Sequence, residues 1–447
     1  MLIEDCKIFK EKNIILQFDG HKEDVILFLH ASLLSKVMLV LEKISEQIVV
    51  KEASRFLLNN NLANGTVPTY KGKAEMLYVH IPFCRTLCPF CSFNRELYKP
   101  ERLKYYFNLL EKEINLYYDV GFDFNSVYIG GGTPTVDFDK IIELIEYIKE
   151  RFHINDISIE STVRELNESK INELYRVGVK RLSIGIQTFD QELSKKIGRA
   201  WQDKEEAISI IKIANRKIDT LNVDLIFNLP FQSISTFEND LSLLIENKVK
   251  QITAYPLMPS IYSYLFKNID RRREKNFYNT FMRIMDENHY NPSTPWCYSI
   301  SDGKMIDEYI TKYDYYIGVG TSSISYIDEK FLLNTFSIEK YAALLEKGLI
   351  PSIIVKEINK GDSEKFYFLN RLFALKISKS DFKKRYGEDI RVSLASLIYL
   401  LRLFGIIGEN KDFIYLKRKG FYLVGNAMRA FFSVLDTLRE EFRKKQI

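Results

Sequence analysis

The sequence predicts an α/β fold whose core is an open partial (β/α)6 barrel. Between residues 76 and 260, six short apolar strands alternate with amphipathic helices. This pattern is typical of a parallel sheet covered by helices. Six units fall short of the eight that close a full barrel. Glycine or polar clusters also follow successive strands, so we expect a site at the C-terminal strand ends.

Each element of the barrel follows from a local pattern. The predicted strands are Met76–Ile81, Ser126–Ile129, Asp156–Glu160, Arg181–Gln187, Leu221–Phe227 and Gln251–Leu257. The predicted helices cover residues 101–118, 137–151, 167–177, 203–214 and 235–246. Asn167 is a suitable N-cap for the third helix, because its side-chain oxygen can accept from a free backbone N–H.

The chain outside the barrel divides into further segments. We expect an N-terminal α+β extension over residues 1–75, with a helix over 32–50 and a linker near 59–65. The barrel core takes 76–300, and 301–360 flank it as a segment for the substrate or a second cofactor. The last segment, 361–447, is predicted as a small winged-helix-like domain: helices, the strand Phe413–Leu416, a turn and a closing helix.

Composition indicates a soluble cytoplasmic protein. The chain is 46% hydrophobic and 28% charged, with a net charge of +5, and no apolar run approaches the ~18 residues that span a bilayer. Its basic runs are short, which argues against a nucleic-acid partner. Five cysteines, three of them crowded together, do not form a disulfide framework.

The three crowded cysteines are Cys84, Cys88 and Cys91. Pro82 and Pro89 exclude a helix there, so the segment is a loop that brings three sulfurs together. Three thiolates can hold three irons of a four-iron cluster and leave the fourth iron open. A structural zinc site with His80 as fourth ligand is the alternative, although zinc prefers paired cysteines.

Several motifs carry a family resemblance over roughly residues 76–260. They are Tyr78-Val-His-Ile-Pro-Phe-Cys, Gly130-Gly-Gly-Thr-Pro-Thr, Ser183-Ile-Gly-Ile-Gln-Thr-Phe, Ile197-Gly-Arg and Val223-Asp-Leu-Ile-Phe-Asn-Leu-Pro. Together with the cysteine spacing, this set resembles the oxygen-independent coproporphyrinogen III oxidase family of radical S-adenosylmethionine (SAM) enzymes. The stretch Tyr316–Ser323 and the turn after Leu416 are similar to that family as well.

The resemblance implies a [4Fe–4S] cluster whose open iron chelates SAM, which is then split to a 5′-deoxyadenosyl radical. It also implies an electron donor such as a ferredoxin or flavodoxin. The positions that match cofactor-binding residues of the family are Tyr78, Phe90, Gly131, Gly132, Thr133, Glu160, Gln187, Arg199 and Asp224.

Two positions depart from the family pattern. Decarboxylating oxidases of the family carry a fourth cysteine two residues after the third, where this chain has Phe93. Haem-chaperone relatives have an acidic residue directly after the third cysteine, where this chain has Ser92. Other relatives are methyltransferases that bind two SAM molecules, and the loop Gly318–Ser323 could close on the second.

A candidate catalytic run lies just past the barrel. Trp296 could stack on a planar substrate, and Cys297 or Tyr298 could exchange a proton or hydrogen atom. Plain packing is the alternative, since free cysteine is commonly buried.

The sequence thus predicts a radical SAM enzyme acting on a planar aromatic, quinone or tetrapyrrole, as a monomer or dimer. We favour methyl transfer with a second SAM. Oxidative decarboxylation of coproporphyrinogen III and haem binding for delivery are the alternatives.

Overall fold

The computed structural model describes residues 46–51, 63–68, 74–258, 270–300 and 312–444. Most of the predicted N-terminal extension therefore lies outside the described residues. Contacts of its described part include an isolated antiparallel bridge between residues 66 and 350, a hydrogen bond from the Ala63 N–H to the carbonyl oxygen of Ile353 and ion pairs of Glu46 with Arg271 and Arg429.

Seventeen strands lie in the described residues. In chain order they are β1 (Met76–Ile81), β2 (Phe83–Cys84), β3 (Glu96–Leu97), β4 (Ser126–Gly131), β5 (Asp156–Ser161), β6 (Val179–Gln187), β7 (Thr220–Phe227), β8 (Gln251–Pro256), β9 (Asn291–Pro292), β10 (Cys297–Ser299), β11 (Tyr316–Val319), β12 (Ile324–Ile327), β13 (Lys330–Asn334), β14 (Ser352–Glu357), β15 (Lys376–Ser378), β16 (Ile407–Glu409) and β17 (Phe413–Leu416).

The helices alternate with the first of these strands and then dominate the C-terminal part. Their bounds are Pro100–Asp119, Phe138–Arg151, Glu168–Arg176, Gln191–Lys196, Lys204–Lys217, Ile234–Glu246, Arg271–Glu287, Ile338–Leu345, Lys360–Phe373, Lys379–Tyr386, Ile390–Ser393, Ala395–Leu403 and Phe421–Lys444. Asn167 caps its helix as predicted, accepting from the backbone N–H of Lys170.

The main sheet confirms the predicted α/β class. Its strand order is β14-β13-β12-β11-β1-β4-β5-β6-β7-β8-β10-β9. The six predicted strands, β1 and β4 to β8, run parallel in sequence order. Their apolar side chains pack against the covering helices in one large core. An open barrel is compatible with this order.

One strand of the parallel sheet was not predicted. β11 pairs in parallel with the outer edge of β1, with Met76 opposite Tyr316 and Val79 opposite Val319. Sequence analysis treated this stretch as irregular. β12, β13 and β14 then continue the sheet as antiparallel strands, so they extend the wall of the barrel beyond β1.

The C-terminal part contains a second, small sheet of order β15-β17-β16, surrounded by helices. The predicted strand Phe413–Leu416 coincides with β17; the likeness to a winged helix stays a prediction. The guanidinium of Arg385 joins this part to the main sheet through ion pairs with Asp314 and Glu329.

The closing helix, Phe421–Lys444, packs along β13 and β14. Val434, Leu435, Leu438 and Phe442 share a buried cluster with residues of those strands. This packing places the helix over the mouth of the barrel. Among the described residues no helix is long and apolar enough to cross a bilayer.

Candidate active site

A cavity of about 400 Å³ lies at the C-terminal ends of the parallel strands. Three sets of residues line it: the cysteine loop, the ends of β4 to β8, and a wall made by the closing helix with β12 to β14. The cavity therefore lies where C-terminal strand ends place active sites in such folds.

The cysteine loop forms one side of the cavity. Cys84, Cys88 and Cys91 all line it. Arg95 holds the loop, because its Nη2 donates to the carbonyl oxygens of Cys88 at 2.6 Å and Cys91 at 2.8 Å. The hydroxyl of Thr133 donates to Cys84 Sγ at 3.4 Å. The loop is thus held by backbone contacts that leave the thiols facing the cavity.

The three thiols suit a polynuclear iron–sulfur cluster, which cysteine thiolates hold through its irons. Within the described residues, no three His, Cys, Asp or Glu side chains converge where one metal ion could bind. Burial raises the pKa of the Cys84 thiol to about 12, so binding iron there would release its proton.

His80 is not available as a fourth ligand. Its Nε2 donates to the carbonyl oxygen of Asn94 at 3.1 Å, so its Nδ1 accepts from the Tyr78 hydroxyl at 3.0 Å. Burial lowers the pKa of His80 to about 4, which keeps the ring neutral. The zinc alternative loses its fourth ligand, and Tyr78 is oriented within the cavity.

The glycine strip after β4 lies against the cysteine loop. A Cβ on Gly132 would lie 2.9 Å from Cys84 Sγ and 2.8 Å from the carbonyl oxygen of Phe83. Gly131 has φ +119°, a conformation that favours glycine. The strip therefore allows backbone to approach the sulfur closely, and Thr133 ends it.

Two partly buried carboxylates line the barrel side. The Tyr128 hydroxyl donates to Glu160 Oε1 at 2.8 Å, and the backbone N–H of Gly131 donates to its Oε2 at 3.1 Å. Burial raises the pKa of Glu160 to about 7, and nearby Asp224 raises it further. Such fixed acceptors suit hydroxyl donors of a ligand.

Asp224 is held by its neighbours on β6 and β7. Ser183 donates to Oδ2 and Asn222 donates to Oδ1, each at 2.7 Å. Burial raises the pKa of this carboxyl too. Glu160 on β5 and Asp224 on β7 therefore line the same cavity, with β6 between their strands.

The Arg199 guanidinium is partly occupied by hydrogen bonds within the chain, so it is not a free group that could bind a ligand carboxylate. Its Nη1 donates to the carbonyl oxygens of Gly185 at 2.6 Å and Ile186 at 3.2 Å. Its Nε is buried without a hydrogen-bond partner among the described residues. Its guanidinium lies 5.1 Å from the centre of the Trp201 ring, a cavity residue that sequence analysis missed.

Gln187 and Phe90 complete the predicted cofactor set. Gln187 ends β6 with φ 72°, next to a register shift, and it lines the cavity. Phe90 also lines the cavity and packs on a small apolar cluster that includes Leu193 and Leu257. All nine predicted cofactor positions thus face one cavity.

The predicted catalytic run is divided by the fold. Trp296 lines the cavity, with its ring edge-on to Phe373 at 5.0 Å. Cys297 and Tyr298 are buried and do not line it. Tyr298 packs against Phe281 and accepts from Arg418. Cys297 and Tyr298 therefore lack the contact with this cavity that hydrogen exchange with a ligand there would need.

The closing helix supplies a wall that sequence analysis did not expect. The lining residues of this helix include Met428, Phe431, Phe432 and Leu435. They recur at helical spacing, a signal that was present in the sequence. This wall is apolar and faces the polar strand ends, which suits a ligand with a broad apolar surface.

Known proteins are similar to this chain in sequence. The family model described as the radical SAM superfamily matches residues 78–244. A heme chaperone HemW of Buchnera aphidicola subsp. Schizaphis graminum (strain Sg) is 30% identical, over 55% of this chain and 69% of that protein. This chain belongs to the radical SAM superfamily, in its HemN-like family.

Other relatives of this radical SAM protein differ in how much they share. The heme chaperone HemW of Bacillus subtilis (strain 168) is 26% identical, over 80% of this chain and 99% of that protein. The oxygen-independent coproporphyrinogen III oxidase of Salmonella typhimurium (strain LT2) is 31% identical, over 44% of this chain and 45% of that protein.

The fold likeness extends to a solved structure. Coproporphyrinogen III oxidase (HemN) from Escherichia coli matches with a TM-score of 0.71 and 23% identity, over 82% of this chain and 91% of that chain. Membership of the radical SAM superfamily implies a [4Fe–4S] cluster and SAM. The thiols, the glycine strip and the partly buried acceptors described above fit both groups.

Proposed function

We propose that this protein uses Cys84, Cys88 and Cys91 to hold a [4Fe–4S] cluster and acts with SAM on a planar tetrapyrrole. The observation that carries the proposal is the single cavity lined by thiols, strand-end polar groups and an apolar helical wall. When bound, the cluster would supply the electron that splits SAM into methionine and a 5′-deoxyadenosyl radical.

Different residues of the chain would bind different parts of SAM and of the substrate. Glu160 and Asp224 offer fixed acceptors for the hydroxyls of a nucleoside, and the glycine strip offers room for the methionine part of SAM. Trp296 and the wall residues Phe431 and Phe432 offer aromatic surface to a planar ring. Closing the cavity with the helix excludes water from a reactive intermediate.

A tetrapyrrole is favoured over other planar ligands by the relatives. The chain matches 99% of the length of one protein named a heme chaperone, and the oxidase that it also matches is named for a porphyrinogen. None of the relatives reported above is named a methyltransferase, so methyl transfer is an outcome to be measured.

One anaerobic assay tests the proposal. The chain is reconstituted with iron and sulfide, reduced, and incubated with SAM and coproporphyrinogen III or haem. We expect 5′-deoxyadenosine above the level of a Cys88→Ala control. Carbon dioxide would indicate decarboxylation, and S-adenosylhomocysteine would indicate methyl transfer. Reconstituted protein that forms no 5′-deoxyadenosine with either compound would contradict the proposal.

Haem delivery is a second candidate, favoured by the full-length match to a heme chaperone. The cavity restricts how this chain could hold haem iron, because both ring nitrogens of His80 are already hydrogen-bonded. Haem titration of the cluster-loaded protein tests it. Haem that binds tightly while 5′-deoxyadenosine stays at the control level would favour delivery over turnover.

A further inference from the structure

The apolar wall of the closing helix ends in a charged pair. Asp436 and Arg439 both line the cavity, and Arg439 Nη1 lies 2.9 Å from Asp436 Oδ1. The Arg439 side chain is 19% exposed, and its guanidinium lies 5.5 Å from the centre of the Phe93 ring. The cation therefore sits between the closing helix and the cysteine loop.

One edge of this guanidinium includes a donor without a partner. Arg439 Nε is buried and has no hydrogen-bond partner in the described part of the chain. Asp436 engages Nη1, which leaves the edge formed by Nε and Nη2. A carboxylate binds that kind of edge through two parallel hydrogen bonds. A buried donor without a partner costs free energy unless a ligand or water completes it.

The charge of Arg439 also reaches across the cavity. The pKa of His80 is lowered mainly by burial, and the positive charge of Arg439 lowers it further. Arg95 and Arg199 also have a buried Nε without a hydrogen-bond partner among the described residues, but their Nη groups hold carbonyl oxygens of the cysteine loop and of β6. Arg439 instead lies beside the apolar wall. Arg439 thus lines the cavity and has a guanidinium Nε–H without a hydrogen-bond partner among the described residues.

We propose that Arg439 binds a carboxylate of the substrate, which makes the substrate a planar ring with an acidic side chain. This inference rests on the proposed function. Along the helix, Met428, Phe432, Leu435 and Arg439 follow one another at helical spacing. A ring packed on the apolar residues would therefore present an acidic edge to Arg439.

A carboxylate could also come from a second SAM molecule. The apolar wall favours the substrate, because a methionine carboxylate is not attached to a broad apolar ring. The two sources share their chemistry, so the experiment must separate them.

The test uses the cluster-loaded full chain with mesoporphyrin IX and its dimethyl ester. The ester keeps the ring and lacks both charges. Trp201 and Trp296, the two tryptophans of the chain, line the cavity, so quenching of their fluorescence reports binding there. Arg439→Gln is compared with Arg439→Lys, and with Arg391→Gln, which breaks an Asp–Arg pair outside the cavity.

We expect Arg439→Gln to weaken binding of the free acid by about tenfold to a hundredfold, the usual cost of a charge-assisted pair. Arg439→Lys should recover part of it, and ester binding should stay unchanged. Arg391→Gln should match the wild type in both. Iron content and the thermal midpoint show that each variant is folded and loaded.

Four outcomes overturn the inference. Equal loss of acid and ester binding would make Arg439 structural, and unchanged acid binding would remove it from recognition. A fall in bound SAM from two per chain to one, with acid binding unchanged, would assign the carboxylate to SAM. If the wild type binds neither porphyrin, the proposed function fails as well, and with it the substrate class.

Discussion

The close approach of the glycine strip to the cysteine loop makes Gly132→Ala a sharp perturbation. The added Cβ would lie 2.8 Å from Phe83 O and 2.9 Å from Cys84 Sγ, whereas atoms in contact prefer about 3.5–4.0 Å. Phe83 O cannot retreat freely, because it accepts from the Thr133 N–H at 2.8 Å. Cys84 O likewise accepts from the Tyr98 N–H at 2.9 Å.

Overpacking of this kind costs about 1–3 kcal/mol, which corresponds to roughly a 5- to 150-fold change in an equilibrium constant. We expect the cost to appear as lower iron and sulfide content per chain, because moving Cys84 displaces a cluster ligand. The free energy of unfolding of the metal-free chain should fall by an amount in the same range. Iron and sulfide analysis and urea unfolding measure both quantities.

Two other glycines serve as comparisons. Gly361→Ala should leave the iron content unchanged and should not lower stability, because its Cβ would meet only Asn359 Oδ1, at 3.5 Å, and alanine favours a helix more than glycine does. Gly130→Ala should keep the iron but weaken SAM binding, since its Cβ would lie 3.0 Å from the Glu160 carboxylate. Wild-type iron content and stability in Gly132→Ala would refute this account of the strip.

Further predictions concern the cluster, the cofactor and pH. Cys88→Ala should abolish the brown absorbance of the cluster, and iron at the wild-type level would count against the assignment. Glu160→Ala should keep the cluster and weaken SAM binding in equilibrium dialysis; collapse of cluster loading would instead make Glu160 structural. Burial raises the pKa of Glu113 and of Asp240 to about 7, so the folded state favours their protonated forms. Their contribution to stability, up to about 3 kcal/mol each, is present below about pH 4 and is lost as pH rises through 7. Urea midpoints of the metal-free chain should fall accordingly, and a flat profile would contradict this.

Local sequence patterns predicted the barrel well because each parallel strand is a short apolar run with a helix after it. The predicted cofactor residues came together for a topological reason: C-terminal ends of parallel strands meet at one edge. That rule alone predicts that Glu160 and Asp224 lie at the same edge of the sheet. β11 could not be predicted, because its pairing with β1 joins residues 316 and 76 and nothing near either residue encodes that contact.

The run from Trp296 to Tyr298 shows a second limit of prediction from the sequence. Trp296 precedes β10 and lines the cavity, whereas Cys297 and Tyr298 lie within β10, are buried and do not line it. Tyr298 instead packs on the helix Arg271–Glu287 through Phe281. The apolar spacing of the closing helix was visible in the sequence. Its position at the cavity could not be predicted, because the helix lies far from the cysteines along the chain.

The order of synthesis gives the closing helix a further consequence. A ribosome makes the cysteine loop well before the helix Phe421–Lys444. Domains fold from the N-terminus during translation, so the thiols stay open on one side until this helix emerges and packs on β13 and β14. During that interval iron and sulfide would reach the three thiols from the side that the helix later covers.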